Sequence, residues 1–244
     1  PNSKNVVFIF CREEKVVFSI FFCSIRCPHL SFCPSYVFYI KNFTIDHEEL
    51  DLGVPWAWRV VKHRLHGGLQ EGVDVVEIHN GALGFAIMPT RGMGILRGWY
   101  RDLDLGWESP VKDPVHPTFI DLNDRGGLGW LKGFNEWIVR CGLDHNGTPG
   151  RDVVIDNNGN EADVFLPLHG KIANTPARHV SVEITADGTI AVTGDVDETM
   201  MFGTQLRLVS EIWTEPGSTT IHFEDEIINL ADKDQEMQYL YHCN

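Results

Sequence analysis

Apolar and polar residues alternate with a period of two through the second half of the chain. Val180 to Thr185 (VSVEIT) sets apolar side chains at every other position, Ala186-Asp187-Gly188 supplies a turn, and Ile190 to Gly194 (IAVTG) begins a return strand. Thr204 to Trp213 and Thr219 to Leu230 flank Glu215-Pro216-Gly217-Ser218 in the same way. Upstream, Asp74 to Ile78 and Ala82 to Met88 flank His79-Asn80-Gly81, where Asn-Gly favours a tight turn. Long 3.6-residue periodicity is absent. The pattern predicts an all-β domain, a sandwich or barrel of antiparallel hairpins.

Two stretches break the pattern. Residues 1 to about 45 are rich in Phe, Cys, Ser and Ile and carry no steady period, so they are read as an atypical N-terminal extension outside the native domain, which occupies residues 46–244. Cys23, Cys27, His29 and Cys33 lie close together there, but their spacing fits none of the paired patterns of structural zinc. The second stretch, Arg91 to Gly150, is rich in Gly and Trp and shows little alternation. It reads as long loops, which are usually functional when they are ordered inside a compact domain. Its GMGILRG and GLGWLKG segments have GxGxxxG spacing without a surrounding βαβ unit, so they do not read as nucleotide loops.

Charge narrows the partners. The chain has 244 residues, with 20 Lys+Arg against 34 Asp+Glu, and a formal charge of -14. Such a surface repels phosphate backbones, and no basic stretch offsets it, which argues against a nucleic-acid partner. No apolar run reaches the 18 or so residues of a membrane helix; the nearest is Val16 to Ile25. Cys141 and Cys243 stand about a hundred residues apart with no secretory pattern, which favours reduced thiols and a cytoplasmic location.

No metal-spaced His/Cys/Asp cluster and no GxSxG motif is present, so no metal or cofactor is expected, and the 11 histidines point to acid-base chemistry. Two of them stand out. His169 sits in LPLHGKIANTPA between a leucine and a glycine, where a loop holds it at a strand end. His242 lies in QYLYHCN, whose alternation puts Gln238, Leu240, His242 and Asn244 on one face and Met237, Tyr239, Tyr241 and Cys243 on the other. A face carrying Gln, His and Asn is a poor core face and a plausible wall of a polar cleft. His66, in RLHGG, shares the spelling of His169.

The run NGALGFAIMPTRGMGI (Asn80 to Ile95), followed by GLGWL, GFNEWIVRCGLDHNGTPG, LPLHGKIANTPA and LYHCN, resembles the DUF4432 aldose 1-epimerase-like family of the galactose mutarotase-like superfamily. The resemblance runs from about Trp58 to Asn244 and implies an antiparallel β-supersandwich, incomplete at its C-terminus, whose concave face binds a small sugar. It further implies interconversion of sugar anomers: an acid protonates the ring oxygen while a base removes the anomeric proton. By motif, His242 is similar to the acid histidine, and His169 to the histidine that binds and polarises the sugar. His66 precedes the Asn80-Gly81 hairpin, whereas the family's histidine follows it, so His66 reads as a look-alike.

Arg91, Glu136, Arg140, Lys171 and Asn174 complete the candidate substrate-binding set. A structural ion pair or turn is an equally good account of Arg91, Glu136 and Arg140. Lys171 after His-Gly, and Asn135-Glu136-Trp137 in place of a Gly-Gly-Leu run, depart from the family pattern and bear on which sugar is bound. The family's glutamate base falls beyond the acid histidine, so this chain alone is expected to have little or no epimerase activity. A sugar-binding module without turnover and a lyase or isomerase acting on an oxidised sugar are the alternatives.

Overall fold

The computed structural model describes residues 16–19, 42–155 and 158–244. The Cys23, Cys27, His29 and Cys33 arrangement, with most of the first 45 residues, lies outside them. The strands are β1 (Val16–Ser19), β2 (Phe43–Asp46), β3 (Arg59–Arg64), β4 (Asp74–His79), β5 (Leu83–Met88), β6 (Gly94–Tyr100), β7 (Leu103–Leu105) and β8 (Ile138–Leu143). They continue with β9 (Gly150–Ile155), β10 (Glu161–Leu166), β11 (His179–Ile184), β12 (Ile190–Thr199), β13 (Gln205–Thr214), β14 (His222–Asn229) and β15 (Gln238–Cys243).

The protein is an antiparallel β-sandwich. One sheet has the order β15-β8-β6-β5-β4-β3-β2, with β7 paired to β6; the other has the order β1-β14-β13-β12-β11; β9 and β10 form a separate hairpin. Alternation accounts for the core. Val60, Val76, Ile78, Phe85, Ile87 and Ile95 of the larger sheet meet Val182, Ile184, Val192, Leu208, Ile212 and Ile227 of the smaller one. Each such buried side chain contributes about 1.5–3 kcal/mol relative to exposure. Asn80 ties the sheets at one end: its amide nitrogen donates to Thr214 Oγ1 (2.7 Å), Glu215 O (2.8 Å) and Ser218 O (2.9 Å).

The Gly- and Trp-rich middle stretch was expected to be loops, yet it contributes β6, β7 and β8. β6 shows weak alternation because Gly94 and Gly98 interrupt its side-chain pattern and because Ile95 and Leu96, on opposite faces, both pack against apolar clusters. A Cβ at Gly98 would come within 2.5 Å of Trp137 Cζ3, so the glycine makes room for the indole.

The face of the larger sheet turned away from the smaller one carries two further apolar clusters. Val73, Val75, Ala86 and Met88 form one; Trp130, Val139, Cys141, Leu168, Ala173 and Leu240 form the other. Among the described residues no helix is long and apolar enough to cross a membrane.

Candidate functional site

β15 alternates as its sequence requires. Tyr239 and Tyr241 pack into the interior, while Leu240 and His242 face outward opposite Cys141 and Val139 of β8. His169 reaches the same place from the loop after β10. It has φ 59° and is followed by Gly170 at φ 72°, two successive left-handed residues that turn the chain sharply. Backbone bonds lock this turn onto β8: Gly142 N–H donates to His169 O (3.0 Å) and Lys171 N–H to Gly142 O (2.8 Å). Further along, His169 N–H donates to Gly147 O (3.0 Å).

The two imidazoles stand edge to face with ring centroids 5.9 Å apart. Trp130 lies 5.0 Å from His169, Phe134 lies 5.0 Å from His242, and the Trp130 and Phe134 rings are 4.5 Å from each other. These aromatics come from the 3-10 turn Gly129–Gly133 and the residue after it. Asn146 Oδ1 accepts from His169 Nδ1 at 3.1 Å, which leaves the lone pair on Nε2. Burial, then the neighbouring His242, pushes the His169 pKa down to about 4, so its ring is neutral at pH 7. The pair therefore offers a neutral acceptor at His169 beside a second imidazole that can carry a proton.

Behind His169 lies a polar support. Asp144 accepts from His145 Nδ1 (2.6 Å) and from Lys171 Nζ, and His145 Nε2 donates to the Pro167 carbonyl (3.0 Å), clamping the chain two residues before His169. Glu198 of β12 accepts from the Leu143 and Asp144 N–H groups at 3.0 and 2.9 Å. Burial would raise the Asp144 pKa, but hydrogen bonds with His145, Lys171 and Glu198 outweigh it and hold the carboxyl below its usual range. Burial and then the Asp144 charge push Glu198 up to about 7.

A folded pKa above the unfolded 4.5 means that the Glu198 contribution to stability is complete below pH 4.5 and is lost as pH rises through 7. Asp144 acts in the opposite sense, losing its contribution only as pH falls below 3.8. Between pH 5 and 8, therefore, Glu198 is the member of the pair that titrates. Thermal melts over that range are expected to show a downward slope of Tm with pH that is shallower in Glu198→Gln. Equal slopes in the two proteins would rule out this titration.

Residues 70–244, well over half of the chain, match the family model of DUF4432, a domain of unknown function. The chain is a DUF4432 protein. It is also similar, at 37% identity and a TM-score of 0.74, to the crystal structure of a "putative aldose 1-epimerase" from Klebsiella pneumoniae subsp. pneumoniae MGH 78578. That match covers 83% of this chain and 51% of the other, so this chain spans about half the length of its structural relative. No curated protein matches it. The DUF4432 membership and the shared mutarotase-like β-sandwich agree with the resemblance carried by the sequence motifs.

In this DUF4432 chain the structure brings some of the candidate residues together and separates others. His169 and His242 converge at the β8–β15 end of the outer face, and Lys171 bonds Asp144 in the support behind His169. Arg91 and Glu136 form a buried pair joined by the half-buried Asn174: Arg91 donates to Glu136 Oε1 (3.0 and 2.9 Å), to Gly133 O (3.0 Å) and to Asn174 Oδ1. At 1% exposure, Arg91 supports the segment before Phe134 and does not present an open fork to a sugar. Arg140 is corrected from sugar contact to structural tie, because it projects from the opposite face of β8 into the interior and bonds Asp225 of β14. His66 sits on an exposed loop against Glu71 (3.0 Å), away from the pair. Trp130, Phe134, Asp144, His145, Asn146 and Glu198 were given no role in the site from sequence, although the Trp-rich stretch holds the first and the GFNEWIVRCGLDHNGTPG motif holds the next four.

Proposed function

We propose that the outer face around His169 and His242 binds the pyranose ring of a free aldose, and that in the whole protein this site interconverts the sugar's anomers. The observation that carries the reading is the 5.9 Å separation of two imidazoles, one of them neutral, against an aromatic wall. His242 is the general acid. It gives a proton to the ring oxygen as the C1–O5 bond breaks and its electron pair moves to that oxygen. A general base takes the anomeric hydroxyl proton, and C1 becomes a carbonyl. Rotation about C1–C2 brings the other carbonyl face round; the C5 hydroxyl then attacks C1 and gives its proton back to His242, while the base returns its proton to the C1 oxygen, which gives the other anomer. His169 Nε2 accepts a hydrogen bond from a sugar hydroxyl and fixes the ring, while Trp130 and Phe134 pack against its C–H surface. The relative named a "putative aldose 1-epimerase" supports this class of reaction.

Polarimetry of freshly dissolved α-galactose and α-glucose with the whole polypeptide is the test. An accelerated change of rotation that drops at least a hundredfold in His242→Ala is the expected result, within the range that general acid catalysis contributes. Sugar binding without acceleration would replace the enzyme reading by a binding module. Neither binding nor acceleration would sink both.

A further inference from the structure

A second polar cleft lies on the same outer face, at the opposite end of the larger sheet. Strand register builds it from residues far apart in sequence. Asp46 of β2 pairs with Arg59 of β3, Arg59 with His79 of β4, His79 with Gly84 of β5, and Gly84 with Trp99 of β6. One lateral row thus crosses five strands. Gly84 is its only member without a side chain, and the Trp99 indole fills the gap: a Cβ there would lie 2.5 Å from Trp99 Cζ2. Glu77 stands beside the row, 3.9 Å from Arg97. The cleft has a volume of about 370 Å³, within the range of small-molecule sites.

We propose that this cleft is a separate binding site for a neutral saccharide unit, distinct from the histidine pair. Three observations support that ligand class. The two carboxylates, Asp46 and Glu77, are balanced by Arg59 and Arg97, so the site favours neither an anion nor a cation. Its polar groups include both donors and acceptors, as a ring of hydroxyls requires. His79 Nδ1 accepts from Gly81 N–H at 3.1 Å, which puts the neutral ring's proton on Nε2 as a donor. Trp99 supplies an aromatic wall suited to a pyranose C–H face.

Four strand spacings separate β4 from β15, roughly 19 Å at about 4.8 Å each, so one monosaccharide cannot occupy both places. The inference does not depend on the epimerase reading.

Titration of the 15N-labelled protein with glucose, galactose, mannose, cellobiose and lactose tests it by NMR. The Trp99 indole N–H resonance is expected to shift with at least one of these probes. The exposed Arg59→Ala should raise the Kd at least tenfold, whereas His242→Ala should leave that shift in place. Shifts confined to Trp130, an unmoved Trp99 indole, affinity that survives Arg59→Ala, or no binding of any probe would each overturn the proposal.

Discussion

Arg140→Met is expected to destabilise the protein by about 3–5 kcal/mol, more than any single change to the histidine pair, because it strands a buried carboxylate. Arg140 and Asp225 are both fully buried, and their side chains meet at 2.6 and 3.0 Å in a two-pronged pair across the sandwich. The remaining guanidinium donors reach Met93 O (2.6 Å) and Ser210 Oγ (2.7 Å). Tyr239 donates to Asp225 at 2.6 Å, and the Tyr241 hydroxyl donates to the same oxygen. The network therefore joins β8 and β15, the strands that carry the site, to β13 and β14 behind them. Removing the arginine leaves Asp225 with neutral donors only. Urea unfolding measures the loss, and the double variant Arg140→Met/Asp225→Leu should recover most of it, since an apolar pair of similar volume avoids both desolvation penalties. A single-variant loss below about 1 kcal/mol would mean that the pair is not a structural tie.

What the sequence could reveal depended on whether the relevant contact was local. The β15 alternation was readable because Tyr239 and Tyr241 turn into the core between the sheets while Gln238 and His242 lie on the other face, and the residue types on the two faces differ accordingly. β6 was not readable, because Gly94 and Gly98 interrupt its side-chain pattern and its neighbours Ile95 and Leu96 are both apolar on opposite faces. Glu136 and Arg140 sit four residues apart and were both candidates for substrate contact. In the structure, Glu136 pairs with Arg91 and Arg140 with Asp225, and the second pairing spans 85 residues. Partner choice of that kind is set by the packing of the two sheets and leaves no mark on local spacing. The Asp46–Arg59–His79 row is illegible for the same reason, since register brings its members together. Asp144 and His145, by contrast, follow directly on the GL of RCGL and were within reach. A buried Asp-His pair beside a loop histidine is a positioning arrangement, though nothing in the spelling alone says which carbonyl it clamps.

Gly170→Ala is the substitution expected to disable the site without touching either imidazole. Gly170 has φ 72°, a conformation that costs an L-residue roughly 1–2 kcal/mol. A Cβ there would also collide with the Gly142 carbonyl oxygen and lie 2.5 Å from the His145 carbonyl oxygen, both rigid backbone atoms. Neither can give way easily: Gly142 O accepts from Lys171 N–H, and His145 is held by Asp144 and the Pro167 carbonyl. The strain is relieved by lifting the 167–171 turn off β8, which carries His169 away from His242. Sugar affinity at the histidine pair is therefore expected to fall at least tenfold, with a stability loss of about 2–3 kcal/mol and the rest of the sandwich intact. His169→Ala is the matched control, because it removes the ring but keeps the turn. It should lower affinity by a similar factor and leave stability within about 1 kcal/mol of wild type. Isothermal titration with galactose and urea unfolding of both variants distinguish the two effects. Wild-type affinity in Gly170→Ala would show that the turn tolerates the methyl group, and that the backbone lock on β8 does not position His169.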